Sequence, residues 1–63
     1  MCESSVFLED ASGAKKVMED VARISMEGKN AICVSIVGER MVLENVALKE
    51  ANFLSHGIVF ERV

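Results

Sequence analysis

The chain has 63 residues, ten acidic and seven basic side chains, a formal net charge of -3, 51% hydrophobic residues, three Phe and no Trp, Tyr or Pro. That length allows one domain over residues 1–63, near the lower size at which a single core folds without help, and the acidic balance disfavours nucleic-acid binding, which rests on phosphate neutralisation. Stretches free of Asp, Glu, Lys and Arg are short, such as the nine residues from Asn30 to Gly38, too short to cross a bilayer as a helix.

Gly13, Gly28, Gly38 and Gly57 punctuate the chain, and "DASG", "EGKN", "GE" and "SHG" read as turns. Pieces this short favour strands. From Cys2 to Leu8, Cys2, Ser4, Val6 and Leu8 alternate with Glu3, Ser5, Phe7 and Glu9, the pattern of a half-buried strand. The first ten residues hold Glu3, Glu9 and Asp10 and no base, so this region is expected to attract cations.

Between Gly13 and Gly28 two readings stand. Val17, Val21 and Ile24, with Ala14 and Met18 beside them, match an amphipathic helix. Lys16 to Met18, followed by Ala22, Ile24 and Met26 alternating with Arg23, Ser25 and Glu27, read equally well as two strands. An internal echo bears on the choice: "VMEDVA" at Val17 to Ala22 recurs 25 residues later as "VLENVA" at Val42 to Ala47, as one supersecondary unit used twice would do. Asp20 and Asn45 are good turn formers, so strand, corner, strand would serve in both places.

"AICVSIV", Ala31 to Val37, is β-branched and apolar on both faces, as expected of a central strand covered on one side by its own core and on the other by a partner. "NFLSHGIVFERV" resembles a hairpin whose Ser55-His56-Gly57 loop joins two runs. A small core would claim most of Phe7, Phe53 and Phe60. High apolar content with so few aromatics leaves aliphatic surface to cover, and a two-fold homodimer would cover it.

Catalytic residues are not evident: no triad, nucleophile elbow or glycine-rich phosphate loop is present. We therefore expect no enzyme. Cys2 and Cys33 could form one disulfide, but small secreted scaffolds usually carry more cysteines, and with no signal peptide before Cys2 a reducing cytoplasm is expected. Cys33 lies in an apolar run and is expected to pack as a small hydrophobe. His56 falls in a turn, where a positive φ is tolerated, and is expected to be solvent-exposed.

Cys2 stands apart because a chain terminus is an unusual place for a purely packing side chain. With Met1 retained, its amine, the Cys2 amide nitrogen and the Cys2 thiolate close two adjoining five-membered chelate rings around one metal. With Met1 removed, the Cys2 amine and thiolate still form one. Planar nitrogen and thiolate donors suit Ni(II) or Cu(II) better than Mg or Ca. Two termini meeting across a dimer axis would complete the square.

"MCESSVFL", a glycine turn, a "V-x-x-D-V" stretch, a valine-rich strand and the closing "SHGIVFER" together resemble the CooT family of small nickel-binding proteins over essentially the whole chain. The resemblance implies a small all-β, SH3-like barrel of about six to seven short strands and a homodimer. It also implies one Ni(II) per dimer, held by Cys2 of both subunits, and a metallochaperone role toward a nickel enzyme such as carbon monoxide dehydrogenase. Strands would then fill the ambiguous middle. Relatives are also catalogued as candidate RNA-binding proteins on fold analogy, so the alternative is a β-barrel module that binds RNA or a protein partner.

Overall fold

A computed structural model describes residues 4–63; Met1, Cys2 and Glu3 lie outside the described residues. The described chain is all-β. Its strands are β1 (Ser4–Asp10), β2 (Gly13–Glu27), β3 (Asn30–Ser35), β4 (Arg40–Leu43), β5 (Val46–Asn52) and β6 (Gly57–Arg62). They form one mixed sheet in the order β4-β3-β2-β1-β6-β5, in which β1 and β6 run parallel and the other neighbours antiparallel.

The alternation read in the first strand holds from Val6 to Leu8, and its Cys2 and Glu3 lie outside the described residues. Val6 and Leu8 face the core with Ala31 and Cys33 of β3, Leu43 of β4, Val46 of β5 and Phe60 of β6. Of the three phenylalanines, Phe60 alone is fully buried; Phe7 is half-buried, and Phe53 is 79% exposed, contrary to the expectation that the core would take most of them. The reason is the end of β5. Asn52 Oδ1 accepts hydrogen bonds from the backbone N–H groups of Leu54 and Ser55, each at 3.0 Å, so the chain leaves the strand at Asn52 and Phe53 rides on a turn.

The middle segment is a single long strand. Asp20 takes a φ of 53°, bending β2 where it passes from β1 to β3: Val21 pairs with Ser4 on one side and with Ser35 on the other. Register shifts flank the bend, between Ser4 and Val6 in the β1 pairing and between Val21 and Arg23 in the β3 pairing. Each extra residue resets the two-residue alternation. Val17, Met18, Val21 and Ile24 therefore all reach the core at the three- and four-residue spacing that imitates a helix.

The sequence echo corresponds to a repeated structure. Asn45 takes a φ of 55° beside the 53° of Asp20. After each corner a valine opens a hairpin: Val21 pairs with Ser35, Val46 with Arg62. The next residue along then closes on the corner, with Ile36 N–H donating to the Asp20 carbonyl at 2.8 Å and Val63 N–H to the Asn45 carbonyl at 3.0 Å. β1 has no counterpart in this repeat and lies between the two units.

"AICVSIV" forms β3, next to an edge rather than at the centre of the sheet. Ala31, Cys33 and Ser35 are buried while Ile32 and Val34 are half-buried. Ile36 and Val37 leave the strand into solvent, because Gly38 N–H donates to the Ser35 carbonyl at 3.0 Å and Ser35 N–H to the Glu39 carbonyl at 2.8 Å. That tight turn places Gly38 at a φ of 89°, where glycine alone is unstrained.

The sheet curls without closing. Val46 N–H donates to the Lys29 carbonyl at 2.8 Å, and Asn45 N–H to Asn30 Oδ1 at 3.3 Å, which draws the β4–β5 corner onto the β2–β3 turn. β4 and β5 remain the two edges. The expected barrel is thus an open, six-stranded curled sheet among the described residues.

Candidate metal centre

The residues expected to hold metal, Met1 and Cys2, lie outside the described residues, which begin at Ser4, the first residue of β1. β1 is bonded on both sides, by β2 and by β6. Ser5, its second residue, donates its N–H to the His56 carbonyl at 2.9 Å. His56 has a φ of 58°, the unusual backbone angle anticipated for that turn, but is half-buried rather than exposed as expected, because the turn lies against the start of β1. The β5–β6 loop therefore abuts the start of β1.

Cys33 is placed where a packing role predicts. It is 0% exposed, opposite Ile24 on β2 and Met41 on β4. Burial raises its thiol pKa, because the thiolate would lose its hydration. Among the described residues no three His, Cys, Asp or Glu side chains converge on a metal site.

At its described end the acidic N-terminal region has two carboxylates with local partners, Glu9 and Asp10. Glu9 pairs with Lys49 of β5, and this hydrogen bond is the main cause that raises the lysine pKa. Asp10 Oδ1 accepts from the Ser12 hydroxyl at 2.7 Å and from its N–H at 2.9 Å, which lowers the Asp10 pKa. Both contacts lie at the surface.

A groove of about 530 Å³ opens between the β2 bend and the β3–β4 turn, lined by Lys16, Met18, Asp20, Val37 and Arg40 among others. Lys16 is engaged with Glu19 at 3.0 Å, and the Ser35 hydroxyl at its floor accepts the Glu39 N–H at 3.1 Å. No histidine or cysteine lines it. Sequence reasoning missed this groove, although "VGER" after an apolar run was a signal that the chain turns outward there.

Residues 1–61 match the family model for the CO dehydrogenase accessory protein CooT. The chain belongs to the CooT family. The crystal structure of a candidate CooT from Carboxydothermus hydrogenoformans superposes with a TM-score of 0.86, covering 98% of each chain at 24% identity. That likeness shows a shared fold. No curated protein matches this chain. CooT proteins are CO dehydrogenase accessory factors by description, and the CooT match includes residue 2, the cysteine singled out by its terminal position.

Proposed function

We propose that this chain is a cytoplasmic nickel(II)-binding homodimer that delivers nickel for maturation of carbon monoxide dehydrogenase, with Cys2 of each subunit, and Met1 where it is retained, as ligands to one shared ion. Nickel is cargo here, not a resident cofactor. The observation that carries the reading is the CooT family match over residues 1–61, which spans Cys2. Two structural facts support it. β1 is hydrogen-bonded on both edges from its first residues, so a ligand just upstream starts from a fixed platform. The other thiol, Cys33, is buried with its ionisation opposed, which leaves metal chemistry to Cys2. In this reading the curled sheet is an SH3-like barrel left open between β4 and β5.

Nitrogen and thiolate donors in a plane give Ni(II) the square geometry it favours. Binding must expel the thiol proton, so affinity falls in acid below the free thiol pKa of about 8.5. Titrating Ni(II) into wild-type and Cys2→Ser protein, with thiolate-to-nickel charge-transfer absorption as the readout, tests the assignment. Absorption that grows and saturates in wild type and is absent in Cys2→Ser is the expected result; equal uptake by both would refute it.

The exposure of Phe53 favours a second reading, a module that docks another molecule. RNA is the weaker form of it, since base stacking uses several exposed rings and here Phe60 is buried and Phe7 half-buried. Salt-sensitive retention of the protein on RNA would revive that form.

A further inference from the structure

We infer that the outer face of β2, β3 and β4 docks a partner protein that presents an apolar side chain between two carboxylates, an inference independent of the nickel reading. Ala31 and Cys33 of β3 are buried in the core, so the alternating Ile32 and Val34 point to the opposite face, where each is half-buried. Across the ladder Ile32 lies between Ser25 of β2 and Val42 of β4, and Val34 between Arg23 and Arg40. Val42 is 47% exposed and both arginines are exposed. The six strands curl around the side that holds Cys33 and Phe60, and the described residues contain no helix or second sheet to cover the other side. This is the second apolar side of "AICVSIV", left by the fold without the cover its composition calls for.

The two arginines select the partner. In a chain of net charge -3 they flank one apolar residue, two strand spacings or about 10 Å apart at the backbone, and neither forms an ion pair among the described residues. A guanidinium fork matches a carboxylate with two parallel hydrogen bonds, and arginine is enriched at protein interfaces. Phosphate is the other anion that arginine holds, but single-stranded nucleic acid also uses exposed rings for stacking. Phe7, Phe53 and Phe60 belong to β1, the β5–β6 loop and β6, so this face has none. A second copy supplies no match either. Among the described residues no ladder row of the sheet sets an apolar residue between two carboxylates.

Titrating isotope-labelled protein with the blocked peptide Ser-Glu-Ser-Leu-Ser-Glu-Ser, which when extended sets Leu between two Glu on one face, tests the inference through backbone amide chemical shifts. Expected are saturable shifts confined to Arg23, Ile32, Val34, Arg40, Val42 and their chain neighbours. Affinity is expected to fall about tenfold or more in Arg23→Ser/Arg40→Ser and to be unchanged in Lys15→Ser/Lys29→Ser, which removes two positive charges elsewhere; spectral dispersion verifies that each variant is folded. Replacing both Glu of the peptide by Lys, which leaves the protein untouched, is expected to abolish the shifts. Cys2→Ser, which removes the candidate metal ligand, is expected to bind the peptide as wild type does, so the two readings fail separately. No shifts on this face, equal binding of the lysine peptide, or undiminished binding by the folded arginine variant overturns the inference. The same residues shifting with protein concentration alone would assign the face to a second copy, and shifts there with an oligouridine but not with the peptide would assign it to RNA; either result also overturns it.

Discussion

Cys33 and Phe60 show how much of a 63-residue chain depends on single side chains. Phe60 is 2% exposed, and truncation to alanine at such a site costs about 3–5 kcal/mol, comparable with the total stability of about 3–9 kcal/mol expected for a chain this long. Phe60→Ala is predicted to lose its cooperative urea transition or to move it to much lower denaturant. Cys33 adds a pH dependence. Its folded pKa is raised by burial, so its contribution is complete below the unfolded thiol value of about 8.5 and is lost as pH rises toward the folded value. Urea midpoints measured from neutral pH into that alkaline range are predicted to fall in wild type and to fall less in Cys33→Ala. The raised pKa of Lys49 has the same sign, but its loss begins only above about 10.4, so the lower window isolates the thiol. The burial of Cys33 was readable from its apolar neighbours. The exposure of Phe53 was not, because it depends on Asn52 capping the turn rather than on any local apolar pattern.

At the scale of strands, the corners at Asp20 and Asn45 organise the sheet. Both adopt the left-handed region, which asparagine and aspartate tolerate and β-branched residues do not. Asp20→Val and Asn45→Val are each predicted to cost about 1–3 kcal/mol in urea unfolding, while glycine at either position is tolerated. Equal losses for valine and glycine would show that the side chains, not the backbone angles, matter. These corners were legible through the repeat of "VMEDVA" as "VLENVA". The bulges beside them were not: a residue inserted in a ladder leaves no mark on composition and changes the apolar period from two to three or four, so β2 imitated a helix. The first strand was legible because Val6 and Leu8 keep a simple two-residue alternation toward the core.

For the molecule as a whole, six strands and two corners yield a curled open sheet with β1 set between the two repeated units. The strand outside the repeat is the one that comes directly after the candidate ligand, and the loop beside its start carries the most exposed apolar pair. The family relation was legible in short motifs spread over the full length, whereas the proposed meeting of two termini would depend on a second chain and so leave no signature within one. The central claim is a single nickel ion shared by two copies through Cys2. Native mass spectrometry of the nickel-loaded protein measures it directly: the account predicts a dimer carrying one Ni(II) in wild type and no bound nickel in Cys2→Ser, and a monomer with its own ion, or a dimer whose nickel survives Cys2→Ser, would contradict it.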